Sequence, residues 1–179
     1  MNQFRILFLS LVLIALPTAS LAYIGAGIGV VDEDHFGYAL VFGAQLPLNF
    51  GLDFQVVSFA DTGTPDNYWV QGNADLSYDF NSYWKKVSET IELHPYVKGG
   101  FTYGASLLDS SGIDIQASHG PGFNFGGGVD WKILGFITVG VDFTETIAHL
   151  DGISVAGITL PDKTAKVFTV LGLVKFFAY

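Results

Sequence analysis

The 179-residue chain has no cysteine, which excludes disulfides, thiolate metal sites and cysteine nucleophiles. Charge is scarce and one-sided: Asp and Glu number 17 and Lys and Arg 8, and charged residues make up 14% of the chain. Soluble proteins carry about a quarter. The net charge of −9 argues against nucleic acid, whose phosphates demand a basic face. Beyond residue 22 no apolar run approaches the roughly twenty residues of a membrane-spanning helix. Sustained helical periodicity is also missing, and 22 glycines argue against a helical bundle. Yet half the chain is hydrophobic and 15% aromatic, more oil than a soluble surface tolerates.

The first residues explain themselves. Arg5 precedes an apolar run from Ile6 to Leu16, followed by Pro17 and Ala-Ser-Leu-Ala at 19–22. This is the pattern of a secretory signal cleaved between Ala22 and Tyr23. An apolar core of about a dozen residues is too short for an uncleaved anchor. Cleavage removes Arg5 and takes the net charge from −9 to −10. The expected organisation is a signal peptide, 1–22, and one domain, 23–179.

That domain alternates. From Tyr68 to Phe80 the even positions 70, 74, 76, 78 and 80 are Val, Ala, Leu, Tyr and Phe, and the odd ones from 71 to 79 are Gln, Asn, Asp, Ser and Asp. A period of two with one oily and one wet face is a β-strand between two solvents. The same pattern sets Ile24, Ala26, Ile28 and Val30 against Gly25, Gly27 and Gly29. It recurs in Phe36–Gln45 and Phe50–Val56, from Pro95 to Tyr103, from Phe123 to Trp131 and from Ile137 to Thr144. A last strand ends at Tyr179, with its two faces poorly distinguished. Pro47 with Asn49, and residues 132–135, mark turns. Segment 81–93, with Tyr83, Trp84, Lys85 and Lys86, is a helical turn or a strand extension. Ile-Ser-Val-Ala-Gly-Ile-Thr-Leu, from Ile153 to Leu160, reads as a hairpin in the longest loop.

These strands predict an all-β fold: an eight-stranded antiparallel up-and-down transmembrane β-barrel, lying in an outer membrane after export. Its oily faces turn to lipid and its polar faces to a small interior. A soluble calyx-like barrel is the rival and reverses the faces.

Four stretches carry a resemblance: Tyr-Ile-Gly-Ala-Gly-Ile-Gly-Val at 23–30, His-Pro-Tyr-Val-Lys-Gly-Gly-Phe-Thr-Tyr-Gly at 94–104, Phe-Gly-Gly-Gly-Val-Asp-Trp at 125–131 and the final Lys-Phe-Phe-Ala-Tyr. Together they resemble the outer-membrane β-barrel family that includes the OmpA and OmpX barrels, across residues 23–179. The resemblance implies that the terminal aromatics Phe177 and Tyr179 signal to the barrel-assembly machinery. Tyr179 departs from the usual Phe. It also implies roles in envelope stability or contact with an extracellular or host ligand through the loops. Outer-membrane lipid is the expected surrounding, and a monomer the expected state. Lys175 is expected on the lipid face, snorkelling to headgroups.

The inward polar set is Asp53, Gln55, Gln71, Asn73, Asp75, Lys98, Asn124, Asp130, Asp142 and Lys166. An eight-stranded barrel is just wide enough for side chains to fill it, so this set predicts a hydrogen-bonded plug. A narrow path for small solutes is the alternative. The outer aromatics, among them Tyr23, Phe36, Tyr68, Tyr78, Tyr103, Trp131 and Phe136, read as interfacial girdles. Gly25, Gly27 and Gly29 lack the third spacing and following helix of a phosphate loop, and read as room for bulkier neighbours.

His35, His94, His119 and His149 raise catalysis, including lipid A modification. Ser118 and His119 are sequence neighbours in a predicted loop, and His35 and His149 are expected in loops. No triad or fixed metal spacing emerges. No enzymatic activity, cofactor or metal is expected.

Overall fold

The computed structural model describes residues 21–31, 35–61, 66–80, 91–109, 116–133, 136–152, 154–155, 158–159 and 161–178. Residues 1–20 of the expected signal peptide, most of the 81–93 connection and Tyr179 lie outside them. Eight long strands are β1 (Leu21–Val31), β2 (His35–Gln45), β3 (Phe50–Asp61), β4 (Asp66–Asp79), β5 (Ile91–Asp109), β6 (Gln116–Ile133), β7 (Ile137–Leu150) and β10 (Lys163–Ala178). The short pair β8 (Ser154–Val155) and β9 (Ile158–Thr159) forms the expected loop hairpin. A 3-10 turn, Pro47–Asn49, joins β2 to β3. Leu48 and Asn49 both take positive φ there, which tightens the connection at the cost of backbone strain.

Each strand pairs antiparallel with its neighbours, and β10 closes the cylinder against both β7 and β1. The closing ladder runs unbroken from Ala22↔Ala178 to Val31↔Thr169. Closure leaves no edge, so no row of N–H and C=O groups faces outward unpaired. β1 begins and β10 ends at one rim, with the 3-10 turn and the β6–β7 turn; the opposite rim carries the β5–β6 loop and the β7–β10 loop with its hairpin. They are called the terminal rim and the loop rim below.

The faces follow the sequence alternation. Ile24, Ile28, Leu40, Phe42, Leu76, Phe101, Phe125 and Phe143 point outward, and Leu40 remains 62% exposed to the surroundings. Phe54 and Val141 lie on the same outer face, half-buried. The polar positions turn into the lumen. An exposed apolar belt around a closed, polar-filled cylinder is the reverse of a soluble calyx, whose aromatics pack inside. Phe50 and Tyr78, with ring centroids 5.2 Å apart, join Trp131 and Phe136 near the terminal rim. Phe36, Tyr38, Tyr68 and Tyr103 are exposed towards the loop rim. Such aromatic bands suit the two borders of an apolar layer.

Two expectations on facing are corrected. Every side chain of β10 faces opposite to the expected side, so Lys175 is 6% exposed in the lumen and Lys166 is exposed outside. The strand reads Val167, Thr169, Leu171 and Leu173 inward against Phe168, Val170, Val174 and Phe176 outward. Both faces are apolar, so the period-two signal vanishes, and a one-residue shift exchanges them. Tyr23 is likewise an inward residue, not part of a girdle. It shares the parity of Gly25, Gly27 and Gly29 on β1, the small face of that strand.

Boundaries also move. β5 starts at Ile91, four residues before Pro95, and His35, Ser118, His119 and His149 lie in strands near the loop rim. The Ala22–Tyr23 bond expected to be cleaved falls inside β1, beside Ala44 and Gly43 of β2.

Replacing Leu40 by Arg places a charge on the outer belt. In lipid vesicles it is expected to cost about 2–4 kcal/mol, the figure for a cation near the bilayer midplane. Equilibrium unfolding in vesicles measures it, and a near-zero change contradicts a hydrocarbon-facing belt.

Candidate functional site: the lumen

Nine of the ten expected lumen residues point inward; Lys166 is the exception. Seven of the nine are buried: Gln55, Gln71, Asn73, Asp75, Lys98, Asn124 and Asp142. Asp53 and Asp130 are half-buried nearer the terminal rim.

One continuous hydrogen-bonded chain occupies the centre. Trp69 Nε1 donates to Gln71 Oε1 at 2.9 Å, and Gln71 Nε2 donates to Thr146 Oγ1 at 3.1 Å and Asn73 Oδ1 at 3.4 Å. Thr102 Oγ1 donates to Asn73 Oδ1 at 2.7 Å, and Asn73 Nδ2 to Gln55 Oε1 at 3.3 Å. Lys98 Nζ then donates to Gln55 Oε1 at 3.5 Å and to Asp142 Oδ1 at 2.8 Å. Tyr96 Oη and Thr144 Oγ1 complete the Asp142 carboxylate at 2.6 and 2.7 Å. Asp75 lies 3.6 Å from Lys98 Nζ, a charge contact without a hydrogen bond.

A second layer sits nearer the terminal rim. Lys175 Nζ bonds Asp130 Oδ2 at 2.7 Å and lies over the rings of Tyr96 and Tyr23, 5.0 and 5.4 Å from their centroids. The Tyr23 hydroxyl donates to Asp53. At the rim His94 Nδ1 meets Asp79 at 2.8 Å and Nε2 lies 3.5 Å from Glu92. Each lysine therefore stands among two carboxylates: Lys98 with Asp75 and Asp142, Lys175 with Asp130 and Asp53. Sequence reasoning missed Lys175, and its signal was the cost of a lysine in the lipid belt, which argued for the other face.

Glycine is what lets these partners meet. Tyr23 of β1 reaches Asp53 of β3 across Gly43 of β2, where a Cβ would lie 2.8 Å from both the Tyr23 ring and Asp53 Oδ1. Tyr96 of β5 reaches Asp142 of β7 across Gly128 of β6, where a Cβ would lie 2.6 Å from the Tyr96 hydroxyl. Asp130 of β6 and Lys175 of β10 meet across β7, where a Cβ on Gly140 would collide with the Asp130 carboxylate. Asp75 and Asn124 flank Gly100 in the same way. On β1, Gly25 and Gly27 make room for Val41 and Leu173, whose side chains a Cβ would meet at 3.0 and 2.4 Å.

Below the second layer the lumen opens at the terminal rim into a polar vestibule of about 290 Å³, walled by Asp53, Ser77, Asp79, Asp130, Lys132 and Lys175 among others. Between the layers, beside Asp75, Lys98 and Asp142, the free space falls to about 10 Å³. That is the lower bound for one water molecule. Towards the loop rim Val31, Trp69, Ala148, Leu150 and Val167 pack together, with Phe59 and Ala165 against them.

Ser118 and His119 have separate partners. His119 Nδ1 pairs with the Tyr103 hydroxyl at 2.7 Å, while Ser118 Oγ donates to the Asp151 carbonyl at 2.6 Å. His149 lies 3.9 Å from Asp162 in an exposed contact. Phe177 sits against Tyr23, ring centroids 5.1 Å apart, and its N–H donates to the Phe136 carbonyl.

The closed eight-strand cylinder with an outer apolar belt decides the likeness. The chain has the fold of the eight-stranded outer-membrane β-barrels. The N-terminal β-barrel domain of Pseudomonas aeruginosa OprF matches with a TM-score of 0.64 at 13% identity, over 89% of this chain and 98% of that one. Neisserial surface protein A matches with a TM-score of 0.62 at 12% identity, over 87% and 95%. A major outer-membrane protein from Thermus thermophilus matches with a TM-score of 0.52 at 13% identity, over 88% and 99%. No protein-family model and no curated protein matches the sequence. At these identities the likeness is one of fold.

Substitutions separate the layers from the surface. Lys98→Met strands two buried carboxylates and is expected to cost about 3–5 kcal/mol. Lys166→Met, on an exposed residue, is expected to cost under about 1 kcal/mol. Gly128→Val pushes into Tyr96 and is expected to cost about 1–3 kcal/mol, whereas outward Gly72, with no neighbour within 4 Å of a Cβ, tolerates Val. Denaturant titration of folded protein in micelles reads all four, and equal losses for Lys98 and Lys166 contradict the assigned faces.

Proposed function

We propose that this protein is an integral outer-membrane barrel without enzymatic activity, stabilising the envelope and meeting extracellular or host surfaces through its loops. The observation that carries the reading is the pairing of an exposed apolar belt with a lumen filled by bonded side chains. The belt fits hydrocarbon, and a plugged lumen leaves the rims and loops as the parts free to recognise a partner. In this reading the terminal rim faces the periplasm, and the loop hairpin Ser154–Thr159 projects outside the cell. Outer-membrane lipid surrounds the belt, and the barrel-assembly machinery inserts the chain, with Phe177 and Tyr179 as its signal. The protein acts as a monomer.

Absence of catalysis is supported by the pairing of Ser118 with a carbonyl rather than with a histidine. A solute path is disfavoured by the 10 Å³ of free space at the centre, far below a hydrated ion.

The test has two arms. Protein reconstituted in planar bilayers is expected to give no discrete conductance steps, and steps would replace the scaffold reading with a channel. Cells carrying the protein with residues 151–162 replaced by a short Gly-Ser turn are expected to lose surface adhesion while the barrel keeps its heat-modifiable mobility. Unchanged adhesion removes the loop role.

A further inference from the structure

We infer that the lumen is wet only from the terminal rim, and that the apolar cluster around Trp69 closes its loop side, as the packed ion pairs close its centre. The inference rests on the membrane-spanning reading above and adds to it the place and chemistry of the barrier.

The inward residues change character along the barrel axis. At the terminal rim they are Asp79, Asp130, Lys175 and His94, around open space of about 290 Å³. In the middle come the bonded chain from Gln55 to Thr146 and, beside it, Ala39, Val57, Leu171 and Leu173. Nearest the loops the layer is mainly apolar: Val31 and Ala148 are fully buried, Leu150, Val167 and Trp69 nearly so, and His35 lies against Phe59 at its edge. Water enters polar gaps and leaves narrow apolar constrictions dry, so the apolar layer closes the loop side to water and ions. A polar network can exchange its partners for water; a packed indole offers none on its faces.

Trp69 is held as a lid. Its Nε1–H donates to Gln71 Oε1, which fixes the ring to the polar chain below. Its six-membered ring lies over Gly104, where a Cβ would be 2.7 Å from Trp69 Cζ2. The glycine seat lets the ring lie across the lumen towards Ala148 and Leu150. Thr146, fully buried, is the first polar residue of β7 beneath this layer, and it accepts a hydrogen bond from Gln71.

The cysteine-free chain allows a direct test. Single reporters are placed at Thr146→Cys beneath the seal and at Ser77→Cys in the vestibule wall. Each is exposed to a small charged thiosulfonate reagent in folded, detergent-solubilised protein. Ser77→Cys is expected to react in every background. Thr146→Cys is expected to be inert with Trp69 present, and to react roughly tenfold faster once Trp69→Ala removes the lid. Lys98→Met is expected to leave Thr146→Cys inert. Leu150→Ala, which thins the same layer without touching Trp69, serves if Trp69→Ala does not fold, and Trp69→Phe is expected to keep the seal. Rapid reaction at Thr146→Cys with Trp69 in place overturns the inference, as does opening by Lys98→Met and not by Trp69→Ala. Heat-modifiable mobility of each variant reports the barrel separately: its loss in the parent counts against the membrane barrel, whereas its retention with the wrong labelling pattern counts against the seal alone.

Discussion

The ladder between β1 and β10 is the constraint from which the rest follows. In hydrocarbon each unpaired N–H or C=O costs several kcal/mol, about the price of a polar group transferred without a partner. Eight strands must therefore meet end to end, and the ten residues from Ala22 to Val31 find partners from Ala178 back to Thr169. Once the circumference is set by eight strands, so is the lumen, and at that width it holds side chains and little else. Several partners two strands apart then touch where the strand between them withdraws its side chain. Gly43, Gly128 and Gly140 stand at those crossings.

The buried charges are better understood as specifying the lumen than as stabilising it. Taking a lysine and carboxylates out of water costs as much as their attraction returns, unless further hydrogen bonds complete the site. Asp142 has such completion, from Lys98, Tyr96 and Thr144. Asp75 has the 3.6 Å contact with Lys98 and faces Asn124 across Gly100. The two layers, each of one lysine among two acids, fix which strand stands opposite which. A shift of one register step would exchange Lys175 for Val174 in the lumen and leave Asp130 facing an alkyl side chain.

Most of this arrangement was legible in the sequence because one face of each strand contrasts with the other. In β4 the polar run Gln71, Asn73, Asp75 lies between Val70, Ala74 and Leu76, and the facing is unambiguous. β10 has no such contrast, and there the alternation does not decide which of Lys166 and Lys175 faces the lumen. The clue lay outside the strand, in the cost of an ammonium in the belt and in the inward parity of Gly25, its partner in the ladder. The glycine rows were readable as space, but not which ring would fill each space. That depends on how far successive strands are staggered, a property of the closed cylinder and not of any one strand. For the same reason Tyr23 passed for an interfacial aromatic: a tyrosine at a strand end suits either a headgroup or a buried carboxylate, and Asp53 lies thirty residues away.

The likeness to OprF and to Neisserial surface protein A at 12–13% identity has the same physical origin. Lipid asks of each outward position only that it be apolar, and closure asks only that strands pair; neither demands a particular residue. Sequence can drift within those classes while the cylinder persists. What remains to distinguish one such barrel from another is what lipid does not dictate: the filling of the lumen and the loops at its rim. Here the lumen passes from an open, charged vestibule through bonded amides and hydroxyls to an indole lying over a glycine. Each step exposes less polar surface than the one before. A gradient of that kind admits water from one end only, so the two rims of a nearly symmetrical cylinder acquire different chemistry, one wet to its interior and the other closed beneath its loops.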